Sequence, residues 1–187
     1  MSTGPSKKQI TITVVGAGII GAAIAYSLAK RGAAVTVIDR GRPGGGATRH
    51  SFAWINATAK QPVSYNSLIR RSMSMWDRFA NDLYADVGLR WGGQLEWAAT
   101  AEGAAELESR AAQLQAWGYP CQMLDGAQAA QLEPALSLGD VTAAIYCDLD
   151  GMVEPTLAAE ACIRAAAKHG ATVKLETEVT SLQADSG

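Results

Sequence analysis

The segment ITITVVGAGIIGAAIAYSLAKRGAAVTVID, residues 10 to 39, constrains the fold of this chain more than any other. Ile10, Ile12 and Val14 alternate like a strand, three glycines follow at GxGxxG spacing, and the apolar residues after Gly18 recur with a helical period. A second apolar run, AAVTVID, closes on Asp39. Strand, turn, helix and strand in this order make a βαβ unit of a Rossmann-like α/β fold with a parallel sheet. Gly16 gives the tight turn, Gly18 lets a pyrophosphate reach the backbone, and Gly21 lets helix and strand close on each other. Phosphates then rest on the helix N-terminus, where N–H groups and the dipole favour negative charge. Asp39 ends the second strand, where a carboxylate accepts hydrogen bonds from both ribose hydroxyls of an adenosine and repels a 2′-phosphate. These residues point to NAD or FAD and away from NADP.

Residues 10 to 29 carry no charge and match a bilayer in length. The three glycines and the change of period at Gly18 suit a buried strand turning into a buried helix, so no integral membrane segment or signal peptide is expected. With 16 basic and 18 acidic residues the net charge is -2, which gives no field for nucleic acid or anionic lipid. Cys121, Cys147 and Cys162 are widely spaced, and with His50 and His169 they make no metal-ligand pattern. They are expected to be single buried thiols of a cytoplasmic protein.

After Asp39 the chain runs RGRPGGGATRHSFAWINA, residues 40 to 57, a glycine-rich loop with no helix expected before about Pro62. Leaving the C-terminal edge of the sheet, such a loop can follow a diphosphate to the second ring system of the cofactor. Arg40, Arg42, Thr48, Arg49 and Ser51 are suitable donors to phosphate or carbonyl oxygens. This favours FAD over NAD.

VVGAGIIGAAIAYSLAKRGAAVTVIDR followed by GGGATRHSFAWINA resembles the FAD-dependent D-amino acid oxidase superfamily, which includes glycine oxidase, sarcosine oxidase and D-amino acid dehydrogenases. GGQLEWA, residues 92 to 98, is similar to that family's first substrate-domain strand, and DGMVEPTLAAEACIRAAAKHGATVKLETEVTSL, residues 150 to 182, to its return into the FAD domain. The resemblance implies that Gly16, Gly18 and Gly21 hold the FAD pyrophosphate and Asp39 the adenosine ribose. It places Thr48, Arg49, His50 and Ser51 beside the diphosphate and isoalloxazine, and the Val179 backbone, in an edge strand TEVTSL, beside the adenine. His50 departs from the family's usual Ala or Asn, and a covalent or a noncovalent flavin contact is open for it. The implied activity is oxidation of an amine or D-amino acid at its CH–NH bond by hydride transfer to flavin N5.

Between Pro62 and Gly88, Tyr65, Leu68, Ile69, Trp76, Phe79, Leu83 and Val87 recur at three and four, which predicts one amphipathic helix with Arg70 and Arg71 solvated on its polar side. Leu89 to Ala98 reads as a strand or hairpin around Gly92 and Gly93. Glu102 to Trp117 reads as a helix with Ala104, Leu107, Ala111 and Leu114 inward. Asp125 and Gln128 give a capping box, VTAAIYCDLDG a strand, and Pro155 to Gly170 a last helix before the strand ATVKLET. The expected organisation is an FAD-binding domain over 1–87 and 150–187, interrupted by a small α+β substrate domain over 88–149. The resemblance further implies an incomplete chain, lacking the half that holds the substrate carboxylate. That half is either the rest of a longer enzyme or a partner chain. A non-catalytic dinucleotide-binding subunit is the alternative, and an NAD-dependent dehydrogenase is disfavoured by the GRPGGGATRH loop.

Overall fold

The computed structural model describes residues 10 to 184. They form two compact units. Among these residues the first unit holds 10–53, Asp77–Gly88 and 153–184; the second holds Trp54–Trp76 and Leu89–Met152.

In the first unit β1 (Thr11–Val15) and β2 (Ala34–Ile38) pair in parallel, Thr11 opposite Ala34 through Val15 opposite Ile38. The helix α1 (Ile19–Lys30) joins them. A third parallel strand, β9 (Thr172–Lys174), follows helix α6 (Pro155–Lys168) and adds to the other side of β2, giving the order β1-β2-β9. Both helices pack on the sheet and on each other. Small residues allow that approach: α1 buries Ala22, Ala25 and Ala29, and α6 buries Ala158, Ala159, Ala161, Ala165 and Ala166. Short side chains at the contact bring helix axes toward the close end of the usual range. Gly32 and Gly170, with φ of 85° and 90°, end the two helices in the left-handed region. Lys30 of α1 pairs with Asp82 at 2.8 Å.

The one amphipathic helix expected over 62–88 is two: α2 (Val63–Met73) and α3 (Trp76–Leu83), separated at Ser74 and Met75. Tyr65 and Leu68, expected inward, are exposed, and α2 instead buries Met73 and the polar Asn66. The Asn66 amide donates to Ala57 O at 2.8 Å, so a hydrogen bond and not apolar periodicity decides which way α2 faces. Arg70 is not a solvated charge either. Its guanidinium donates to Trp117 O and Gly118 O, both at 2.8 Å, and lies over the Tyr119 ring.

Two three-stranded sheets build the second unit. In one, β3 (Trp54–Ile55) and β4 (Arg90–Trp91) flank β8 (Gly151–Met152) antiparallel. In the other, β5 (Gln94–Ala98) and β6 (Gln122–Leu124) flank β7 (Ala143–Cys147) antiparallel. The pairing of β3 with β8 and the Arg70 bonds join residues 54–76 to this unit, beyond the boundaries read from the sequence. Leu89 to Ala98 holds two strands, but they belong to different sheets, and the chain crosses between them at Gly92 and Gly93.

Helix α4 (Ala101–Ala116) covers the β5-β7-β6 sheet with Ala104, Leu107, Ala111 and Leu114, the four residues its period selects. Thr100 caps it by accepting from Gly103 N–H. The short α5 (Gly126–Leu132) starts in the expected capping box, with Asp125 accepting from Gln128 N–H and the Gln128 side chain accepting from Asp125 N–H. At the centre of the unit the buried Tyr119 hydroxyl donates to Oδ1 of the buried Asp150 and accepts from Ala57 N–H at 3.4 Å. Oδ2 of Asp150 has no hydrogen-bond partner. Burial raises the Asp150 carboxyl to about 6 despite the Tyr119 bond, and burial together with the adjacent carboxylate drives the Tyr119 hydroxyl far above its ordinary range.

Candidate functional site

The site forms at the carboxyl ends of β1 and β2, where open parallel sheets bind ligands. Gly16 N–H donates to Ile38 O at 2.8 Å and pins the turn against the end of β2. Gly16 has φ of 105°, a conformation that favours glycine. A Cβ at Gly21 would overlap the carbonyl oxygen of Gly16, so helix and turn meet backbone to backbone. The first helical bond of α1 runs from Ala22 N–H to Gly18 O. The amides of Ile20 and Gly21 therefore have no intrahelical acceptor and face the opening of the turn.

Asp39 holds the turn from the other side. Its Oδ2 accepts from Ala17 N–H at 2.6 Å and its Oδ1 from Gly41 N–H at 2.7 Å. A carboxylate offers about four lone-pair sites, so both oxygens can still accept from a ligand. The loop after Asp39 folds back on the turn. Gly44 N–H donates to Ala17 O at 2.9 Å, and Gly44, with φ of 71°, lies against Thr156 of α6 with its ideal Cβ 3.1 Å from that residue's Cα. A short 3-10 turn, Ala47–His50, lies in this loop, ahead of the first helix expected from the sequence. It points the Thr48 hydroxyl inward, where it accepts from Ile19 N–H at 3.0 Å and stands 3.2 Å from where a Cβ of Gly18 would be.

These elements enclose a cleft of about 630 Å³. Of the residues singled out from the sequence, Gly16, Gly18, Asp39, Arg40, Arg49 and Val179 line it, and so does Arg42. Gly21, Thr48, His50 and Ser51 are not among the lining residues. Gly21 and Thr48 shape the turn from behind. His50 is exposed, and its Nε2 accepts from Arg49 Nε at 3.0 Å. Ser51 Oγ accepts from Ala53 N–H at 2.9 Å.

Val179 lines the cleft without the expected edge strand, because no strand follows β9 among the described residues. Glu176, with φ of 52°, turns the chain out of extended geometry, and Thr177 N–H then donates to Asp39 O at 2.9 Å. Sequence reasoning missed this clasp, along with Thr177 and Glu178 on the cleft wall. A residue in the left-handed region leaves no signature when it is Glu.

A glycine cradle too tight for side chains, a helix N-terminus, an acceptor carboxylate and three guanidinium groups suit a dinucleotide with a diphosphate bridge. FAD fits this donor set: Arg40, Arg42 and Arg49 supply positive charge, and Asp39 supplies ribose acceptors. No helix among the described residues is long and apolar enough to cross a membrane.

The chain is 32% identical over 181 residues to glycine oxidase of Geobacillus kaustophilus, covering 94% of this chain and 48% of that protein. It is 30% identical to glycine oxidase of Bacillus licheniformis over 97% of this chain and 49% of that one. It is 26% identical to the mitochondrial pyruvate dehydrogenase phosphatase regulatory subunit of Mus musculus over 91% of this chain and 20% of that one. The crystal structure of the Geobacillus kaustophilus glycine oxidase superimposes with a TM-score of 0.86 over 93% of this chain and 48% of that chain. The chain thus spans about half the length of the two glycine oxidases. The family model for FAD dependent oxidoreductases, DAO, matches residues 11–187. This chain belongs to the DAO family of FAD dependent oxidoreductases.

Proposed function

We propose that this chain is the FAD-holding part of an enzyme that oxidises an amine or amino acid at its CH–NH bond. The carrying observation is the cleft in which Asp39, bonded to Ala17 N–H and Gly41 N–H, faces the glycine turn beneath Arg40, Arg42 and Arg49. Asp39 binds the adenosine ribose, the α1 N-terminus and the arginines bind the diphosphate, and the Val179 backbone lies by the adenine. Gly21 and Thr48 hold the turn in shape. His50 and Ser51, on the exposed end of the 3-10 turn, lie on the path from the diphosphate toward the flavin ring. FAD, when bound, supplies the acceptor for the two electrons of the CH–NH bond. The residues of this chain bind it, orient it and neutralise its phosphates. Groups that hold the substrate come from polypeptide beyond these 187 residues, whether the rest of a longer chain or a partner. The two glycine oxidases, which this chain covers only by half, support that reading.

FAD titration of the protein, in the polypeptide or complex in which it occurs, tests this directly. Asp39→Asn leaves a single acceptor oxygen where the turn uses two, and loses the charge. FAD affinity should fall by about 10–100-fold, since hydrogen bonds to charged groups contribute about 1.5–3 kcal/mol. Unchanged affinity would remove Asp39 from the site. Bleaching of the yellow protein by amines or amino acids under anaerobic conditions tests the reaction class.

A second reading, a non-catalytic FAD-binding subunit, is favoured by the similarity to a phosphatase regulatory subunit. It requires bound FAD without bleaching by any amine or amino acid.

A further inference from the structure

The second unit holds a pair of thiols that the flavin site does not use. In the β6–β7 ladder Gln122 stands opposite Tyr146, Met123 opposite Ile145 and Leu124 opposite Ala144. One step further along the same register, Cys121 stands opposite Cys147. Cross-strand neighbours in antiparallel pairs have Cα atoms about 4.5–5.5 Å apart. A disulfide spans Cα atoms about 4.4–6.8 Å apart.

Both side chains lie on the face covered by α4, because the Cys121 thiol donates to Ala111 O at 3.6 Å. Burial raises the Cys121 thiol and outweighs the nearby Cys147 thiol, which favours the anion there. Their settings differ. Cys147 is sealed, at 1% exposure, whereas Cys121 lines a cleft of about 330 Å³ together with Gln115, Tyr119, Tyr146 and Asp148. Cys121, buried at 7% exposure, borders the cleft, whereas Cys147 does not line it.

We propose that Cys121 and Cys147 are a reversible dithiol–disulfide pair, in which a small hydroperoxide oxidises Cys121 first and Cys147 then closes the bridge. In the first step the Cys121 sulfur attacks a peroxide oxygen. An S–O bond forms, the O–O bond breaks, and the other oxygen leaves with the thiol proton, as water from hydrogen peroxide or as an alcohol from an organic hydroperoxide. In the second step the Cys147 sulfur attacks the Cys121 sulfenic acid. The S–S bond forms, the S–O bond breaks, and the hydroxyl leaves as water with the Cys147 proton. Two thiols lose two electrons and one peroxide gains them. Thiol reductants reverse the bridge by exchange. Because burial raises both thiols, Cys147 to about 12, the reaction is slow near neutrality and quickens as pH rises.

Peptide mapping of the whole protein tests this, after treatment with one equivalent of hydrogen peroxide at mildly alkaline pH and alkylation in denaturant. The expected result is joint loss of Cys121 and Cys147 from the alkylated pool and a linked peptide lighter by two hydrogen atoms, both reversed by dithiothreitol. Cys162, which belongs to the other unit, should stay alkylatable. In Cys147→Ser, dimedone should trap Cys121 as the sulfenic acid adduct. The proposal is overturned if both thiols remain free, if Cys121 passes to the sulfinic acid while Cys147 stays alkylatable, or if either sulfur is linked to Cys162 or to another chain. Should Cys147→Ser fail to fold, the wild-type map decides alone. None of these outcomes depends on whether FAD is bound.

Discussion

Asp150→Asn probes a buried carboxyl of the second unit. The Asp150 carboxyl is 2% exposed, shares one oxygen with Tyr119 and leaves the other without a partner. Burial raises it from 3.8 to about 6. A folded-state value above the unfolded one means that the native state binds the proton more tightly. Stability is then greatest below about 4 and is lost as pH rises through about 6. At 1.36 kcal/mol per pKa unit, a rise of about two units amounts to about 3 kcal/mol. Asparagine keeps an oxygen for the Tyr119 hydroxyl and cannot ionise, so the variant lacks this dependence. Its unpaired amide N–H groups add a constant cost of about 1–3 kcal/mol. The assay is urea unfolding of both proteins from about pH 4 to about pH 8, followed by tryptophan fluorescence. All five tryptophans lie in the second unit, so the signal reports on the unit that contains Asp150. Wild type should lose about 2.5 kcal/mol relative to the variant between the ends of that range, with most of the change between about pH 4 and about pH 6. A difference that stays constant with pH would refute the reasoning, whatever its size.

Two further substitutions test other parts of the fold. Gly21→Ala puts a Cβ onto the Gly16 carbonyl, so the turn must open; FAD affinity should fall more than about tenfold by titration, and an unchanged Kd would show that the turn yields freely. Arg70→Lys loses the fork that donates to both Trp117 O and Gly118 O at the end of α4, and urea unfolding of the second unit should show a loss of about 1–3 kcal/mol.

Where local pattern and tertiary need agree, the chain is legible from its residues. Strand, glycine turn, helix and Asp39 declare the nucleotide cleft because each requires a residue type that nothing else supplies there. α4 shows its buried face through Ala104, Leu107, Ala111 and Leu114, and Asp125 with Gln128 declares the start of α5. Legibility fails where a distant partner decides. α2 turns Asn66 inward and leaves Tyr65 and Leu68 outside because Ala57 O needs a donor. Tyr119 and Asp150 are 31 residues apart, so no window of sequence joins them. The Thr48 hydroxyl serves the Ile19 amide and not the cleft, a distinction that residue type alone does not make.

The crossing between the two sheets of the second unit limits how this chain can change length. β4 passes into β5 through Gly92 and Gly93 while β7 passes into β8 beside it, and Gly93 N–H donates to Asp150 O at 2.9 Å where the two strands change sheets together. A side chain at Gly93 would run into the Tyr146 ring. An extra residue in either strand would shift its register against the other and turn a whole row of side chains to the wrong face. Length can vary in the exposed stretch from Glu133 to Ser137, where no ladder sets the spacing. An epitope or fluorophore tag would be tolerated there, and the paired crossing would reject one.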